Sequence, residues 1–135
     1  MVCVNGGVSK LEYLCDAIAE YSGSHDPRSV AYKLRNPLAL TDDKVVEGES
    51  GKKVIRRGEL RSFRSWVHGY EAGLFDLRKK CEGRNARLTQ YSSIDELTAY
   101  YGMKPDSGAR VADYLSFALE DEGITKDSKL FIFLR

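Results

Sequence analysis

The sequence predicts one α+β domain, mainly helical, with a small β-hairpin lobe after the first helix. Three observations lead to that expectation. Apolar residues recur at helical spacing before residue 22 and again after residue 65. Between those stretches the period changes, turn words appear, and short β-branched runs replace the helical pattern. The 135 residues, 42% hydrophobic and 30% charged, suit a single core, and no linker or low-complexity stretch divides them. The expected domain is therefore 1-135.

The elements follow in order. Ser9-Lys10-Leu11-Glu12 reads as a capping box, serine followed three residues later by glutamate. Leu11, Leu14, Cys15, Ile18 and Ala19 then mark the buried face of a helix from Lys10 to Tyr21 or Ser22, with Gly23 as its stop. His25-Asp26-Pro27 and Arg35-Asn36-Pro37 are turns. Val45-Val46 and Lys53-Val54-Ile55-Arg56 are strands flanking Gly48-Glu49-Ser50-Gly51, and Arg57-Gly58-Glu59 could lead to a further strand, Leu60-Arg61-Ser62-Phe63. The lobe is thus a hairpin or a three-stranded sheet.

After Ser65, Val67, Tyr70, Leu74, Leu77 and Cys81 line one helical face that Gly83 ends. Ser93-Ile94-Asp95-Glu96 is a second capping box, followed by Ile94, Leu97, Tyr100 and Tyr101 and stopped by Gly102. Ser107 is placed to cap a helix carrying Val111, Tyr114, Leu115, Ala118 and Leu119, with Gly123 as its end. Lys129 to Leu134 reads equally as a strand or a terminal helical turn.

Composition excludes several classes. The formal charge is +1, from 21 basic and 20 acidic residues, so no general field draws nucleic acid or an anionic membrane. No run approaches the roughly 18 to 20 apolar residues of a membrane span. Residues 1-10 do not read as a signal peptide. Cys3, Cys15 and Cys81 are odd in number and far apart, which points to reduced thiols and a cytoplasmic setting. Cys15 and Cys81 fall on apolar helical faces and read as small core residues. His25 and His68 with three scattered cysteines give no metal-ligand spacing, and no cofactor is expected.

Several words in this order resemble a branch of the lysozyme-like superfamily, the small phage and bacterial muramidase or lytic-transglycosylase-like domains. Such domains typically carry a first helix ending Ala-Ile-Ala-x-x-Glu-Gly, then an Asn-Pro turn, a β-lobe, a Phe-x-x-x-x-x-Gly word opening a helix, a Tyr-Ala-Pro helix and a closing Tyr-x-x-Phe. Ala17-Ile18-Ala19-Glu20-Tyr21-Ser22-Gly23 matches the first word except at its glutamate. Asn36-Pro37 keeps the turn but not the glycine and asparagine after it, and Phe63 to Gly69 resembles the next word closely. Leu97 to Gly102 stands at the Tyr-Ala-Pro helix, and Tyr114-Leu115-Ser116-Phe117 resembles the last word.

The resemblance implies peptidoglycan as substrate and a carboxylic acid at the end of the first helix that protonates the leaving oxygen of a β-1,4 glycosidic bond. Its pKa would have to be raised by a partly apolar pocket. Here that position holds Ser22, whose hydroxyl is not a usable acid near neutral pH. General acid–base groups contribute on the order of 10² to 10⁴ in rate, so the chain is expected to bind rather than cut, with no catalytic residue assigned. Glu20 is two positions earlier and points about 200° away around the helix. Asp26, Glu71 and Asp106 are other substitutes, with Glu71 the leading one because it lies in a matching word.

The expected cleft residues are Ser22, Tyr32, Arg35, Asn36, Glu71 and Tyr101, with Trp66, Tyr70 and Tyr114 as further flat faces for sugar rings. Each has a plainer role. Trp66, Tyr70 and Tyr114 suit core packing, Asn36 suits shaping its turn, and Glu71 suits the start of a helix. A Ser22, His25 and Asp26 hydrolase is set aside because no Gly-x-Ser-x-Gly word surrounds the serine.

Three functions therefore compete. The first is a degenerate muramidase-like glycan binder. The second is an intracellular, phage-type interaction protein directed at a host protein or, less favoured, a nucleic acid, through a basic β-lobe of Lys52, Lys53, Arg56, Arg57, Arg61 and Arg64. The third is an active muramidase with a relocated carboxylate.

Overall fold

The computed structural model describes residues 9–135 other than 43, 57 and 86. The chain is mainly helical. Its elements are α1 (Lys10–Tyr21), α2 (Val30–Lys33), β1 (Lys44–Glu47), β2 (Lys53–Arg56), α3 (Trp66–Cys81), α4 (Ile94–Tyr100) and α5 (Ser107–Ala118), followed by a 3-10 turn at Leu130–Leu134. Cys3 lies outside the described residues.

α1 forms where the apolar spacing predicts it. The Ser9 hydroxyl accepts the Glu12 backbone N–H at 3.2 Å, which satisfies one of the free donors of the first turn. Leu11, Leu14, Cys15, Ala17, Ile18 and Ala19 are buried, and each fully buried aliphatic side chain contributes about 1.5–3 kcal/mol. α1 packs on α3, on α5 and on the C-terminal turn. Leu77, Ile94, Leu97, Val111, Leu115, Leu130 and Phe133 complete the core. The C-terminal segment is therefore the helical-turn alternative. It is anchored by Leu130 and Phe133 and by an isolated bridge from Lys129 to Ser93.

β1 and β2 pair antiparallel, with Lys44 opposite Arg56 and Glu47 opposite Lys53. Leu60, the start of the further predicted strand, makes only an isolated bridge to Thr41. Phe63 leaves that edge, donating its N–H to the Leu34 carbonyl at 3.0 Å and packing against the core. Its backbone is used by the 34–40 segment, so a third strand does not extend.

Two helices differ from the sequence expectation. On α3 the buried positions are Gly69, Gly73, Leu77, Lys80 and Cys81, while Val67 is exposed. Tyr70, Leu74, Leu77 and Cys81 do face the core as predicted; Val67 does not, and Gly69 and Gly73 join the face because glycine carries no apolar weight in hydrophobic spacing. A Cβ at Gly69 would stand 1.8 Å from the Arg35 carbonyl oxygen, and one at Gly73 would stand 2.9 Å from Leu38 Cγ. These two positions let the 35–38 segment lie directly on the helix. α5 begins at Ser107 itself, behind Asp106, with no side-chain cap. It ends at Ala118, before Gly123, because Glu120 turns the chain in the left-handed region at φ 52°.

Among the described residues no helix is long and apolar enough to cross a membrane.

Candidate functional site

The end of α1 is closed by its own serines. The Ser22 hydroxyl donates to the Ala19 carbonyl at 3.2 Å and lies 3.0 Å from the Ser24 hydroxyl. Ser22 is exposed and Ser24 is buried. No hydrogen bond joins Ser22 to His25. Instead His25 Nδ1 meets the Glu20 carboxylate at 2.9 Å, and Asp26 pairs with Arg28. The serine therefore acts as a helix terminator with a hydroxyl at the surface, and a hydrolytic triad is not assembled.

Beyond this turn an aromatic shelf is built around Trp66. His25 and Tyr32 each pack against the indole, at ring-centroid distances of 5.6 Å and 5.7 Å, both tilted by 48°. Tyr32 is held by α2, whose first turn is capped when the Ser29 hydroxyl accepts the Tyr32 N–H at 3.1 Å. Trp66 is the first residue of α3, capped by Ser65. Tyr32 and Trp66 of the shelf line an open cavity of about 650 Å³ together with Pro27, Lys33 and Arg35. Flat apolar faces beside cationic donors suit a sugar ring carrying hydroxyls or a carboxylate.

Arg35 sits in the left-handed region, at φ 56°. A residue with a Cβ is held there only where its surroundings over-determine it. Two features do so: the packing of its carbonyl on Gly69 and the clamp supplied by Asn36. Asn36 is completely buried. Its Nδ2 donates to the Leu40 carbonyl at 2.9 Å and the Arg61 carbonyl at 3.0 Å, and its Oδ1 accepts the Leu40 N–H at 2.9 Å. Asn36 is therefore the staple of the turn and lines neither the Trp66 cavity nor the one beside Tyr101. That corrects its place among the cleft residues.

The other expected cleft residues separate. Tyr32 and Arg35 share the Trp66 cavity. Tyr101 lies on a second cavity, against α3 and α4, which shares no lining residue with the first. Glu71 is exposed on α3 and lines neither cavity. It therefore lacks the apolar enclosure that a general acid needs. Tyr70 and Tyr114 are half-buried against the core, and Tyr114 meets Tyr21 edge-on at 6.3 Å.

No protein-family model, curated protein or solved structure matches this chain.

Two features of the site are not read from sequence spacing. The first is Asp16, whose carboxyl is pushed above the ordinary carboxylate range by burial, with Tyr70 and His25 acting in the opposite sense. Among the described carboxylates it is the one raised in this way. It lies six residues before Ser22, about 9 Å down the helix axis. The second is His25, which joins the turn after α1 to the shelf. Its signal was present in the sequence as a histidine within reach of α1's end, but only the fold places Trp66 beside it.

The two thiols among the described residues are inert. Cys15 and Cys81 are buried and free, and burial pushes both up to about 12. Among the described residues no cluster of His, Cys, Asp and Glu could hold a metal ion.

Proposed function

We propose that this chain is a lysozyme-like, muramidase-related domain that holds a peptidoglycan-type glycan on the Trp66 shelf and cleaves it slowly or not at all. The carrying observation is the shelf itself, Trp66 flanked by His25 and Tyr32 over a cavity edged by Lys33 and Arg35. The order of two helices, a β-pair and three helices, and the close approach at Gly69, which lies in one of the matching sequence words, support the same reading. Ser22 at the end of α1 supports binding over cleavage, because a surface hydroxyl bonded to Ala19 offers no acid.

Co-sedimentation with insoluble peptidoglycan tests this. The unmodified chain is expected to sediment, and Trp66→Ala to reduce its affinity by about tenfold or more, as for a central aromatic anchor. Ser22→Glu is expected to gain cell-wall clearing. A chain that stays in the supernatant, or a Trp66→Ala variant that sediments as well as the parent, overturns the reading. A second reading rests on the exposed cations Lys52, Lys53, Arg56 and Arg64 of the β-lobe. These suit an anionic protein or nucleic acid, and capture from lysate with and without nuclease separates the two.

A further inference from the structure

The second cavity holds a feature that the glycan reading does not use. Lys80 lies on α3 with only 2% of its surface exposed. Its ammonium pairs with Asp76 one turn earlier and sits over the rings of Tyr100, at 4.8 Å, and Tyr101, at 5.0 Å. The Tyr101 hydroxyl donates to the same Asp76 oxygen at 2.9 Å. Burial and Asp76 together push the Tyr101 phenol well above its ordinary range, so it stays a donor. The Asp76 carboxylate and two aromatic faces hold the Lys80 side chain in place.

This group forms one wall of a cavity of about 390 Å³ that also reaches Leu40, Arg61, Phe75 and Lys79. Three cations thus face one carboxylate. Asp76 offsets Lys80. Among the described residues neither Arg61 nor Lys79 stands within ion-pair distance of a carboxylate. Both are laid over aromatic rings instead, Arg61 on Phe63 at 5.0 Å and Lys79 on Phe75 at 5.1 Å. Their backbones are held by the fold. Arg61 donates its backbone N–H to the Leu40 carbonyl at 2.9 Å and accepts Asn36 Nδ2 at its carbonyl, while Lys79 is within the last turn of α3. Two charges lining one cavity, neither offset by a carboxylate among the described residues, match one dianion.

We propose that this cavity is a binding site for a small phosphomonoester with a flat or compact apolar body. The phosphate dianion would take Arg61 and Lys79. The body would lie against Phe75, Tyr100 and the aliphatic wall of Leu40. The volume is near the low end of ligand pockets, which span about 300–1,000 Å³, so it suits a ligand of mononucleotide size or smaller and not a polymer. The proposal is independent of the glycan reading, because the two cavities share no residue.

Calorimetric titration of the full chain at low ionic strength tests it, using inorganic phosphate, phenyl phosphate, adenosine monophosphate and phenol. Saturable binding is expected for both esters, more tightly than for inorganic phosphate, with none for phenol. The tighter of the two esters distinguishes a nucleotide from a simpler aryl phosphate. Arg61→Met and Lys79→Met keep the aliphatic stems and are each expected to weaken ester binding about tenfold, the range of one charged hydrogen bond. Lys33→Met, on the other cavity, is expected to leave it unchanged. No saturable binding of either ester at millimolar concentration overturns the proposal. So does binding that survives both Arg61→Met and Lys79→Met in chains with unchanged thermal unfolding.

Discussion

Replacing Asn36 with alanine separates a ligand contact from a structural clamp at the centre of the expected cleft. The side chain makes three hydrogen bonds, two from Nδ2 to the Leu40 and Arg61 carbonyls and one from the Leu40 N–H to Oδ1. It is completely enclosed, so water does not replace those partners in the variant. At about 1 kcal/mol net for each bond, and more where a buried partner is left unpaired, the loss is about 3 kcal/mol. For a domain of this size that corresponds to a fall in Tm of roughly 10 °C. Thermal unfolding followed by circular dichroism reads it directly. Glycan co-sedimentation below the lowered Tm is expected to be nearly unchanged, since Asn36 lines neither cavity. A Tm within about 2 °C of the parent, a shift worth only a fraction of a kcal/mol, combined with lost binding, would show that Asn36 contacts ligand and that the clamp argument is mistaken.

Three further outcomes follow from the packing and the titrating groups. Gly69→Ala places a Cβ 1.8 Å from the Arg35 carbonyl oxygen; backbone must move, and a loss of about 3 kcal/mol, the upper part of the overpacking range, is expected in denaturant titration. Asp16 holds its proton more tightly in the folded chain than in the unfolded one, because burial raises its carboxyl above the ordinary 3.8. Stability is therefore lost as pH rises from that ordinary value through the folded one. Asp16→Asn should stabilise the chain near neutral pH and have little effect in acid below 3.8, where both states are protonated; an equal effect at both pH values would remove burial as the cause. In a Cys3→Ser chain, Cys15 and Cys81 should react with a thiol reagent at pH 8 only as fast as the core opens, and rapid stoichiometric labelling would contradict their burial.

How much the sequence disclosed differs by element. α1 and α4 were legible because a serine cap, an apolar period and a glycine stop all agree over one short stretch. The Ser93–Glu96 box is present in full, each partner bonded to the other's backbone. On α3 the predicted face holds at Tyr70, Leu74, Leu77 and Cys81 and fails at Val67, while Gly69 and Gly73, which hydrophobic spacing cannot weigh, complete the contact surface. α2 was missed because four residues carry too little periodicity to stand out from a turn. The end of α5 was placed too late because Glu120, a residue that rarely adopts positive φ, supplies the turn expected of Gly123.

The candidate site was legible as a set of residue types but not as a place. Tyr32 and Arg35, which come from one short segment, line the same cavity. Tyr101 was assigned to the same cleft and lies on another cavity, because which side of α3 faces which loop is decided by long-range packing. Asp76 and Lys80 have the spacing of an ordinary exposed i,i+4 pair; only the rings of Tyr100 and Tyr101, brought over from α4, bury that lysine.

The sequence by itself therefore determined what depends on neighbours along the chain: a mainly helical domain, the helix starts, the turn at Asn36-Pro37, and a serine at the end of α1 with no acid to offer. The tertiary structure alone decided what depends on separated segments meeting. It split the expected cleft into the Trp66 shelf and the Lys80 cavity, and it turned Asn36 inward as a clamp. The physical reason is that local propensity and capping act within one helical turn, whereas burial and charge environment are set by side chains tens of residues away.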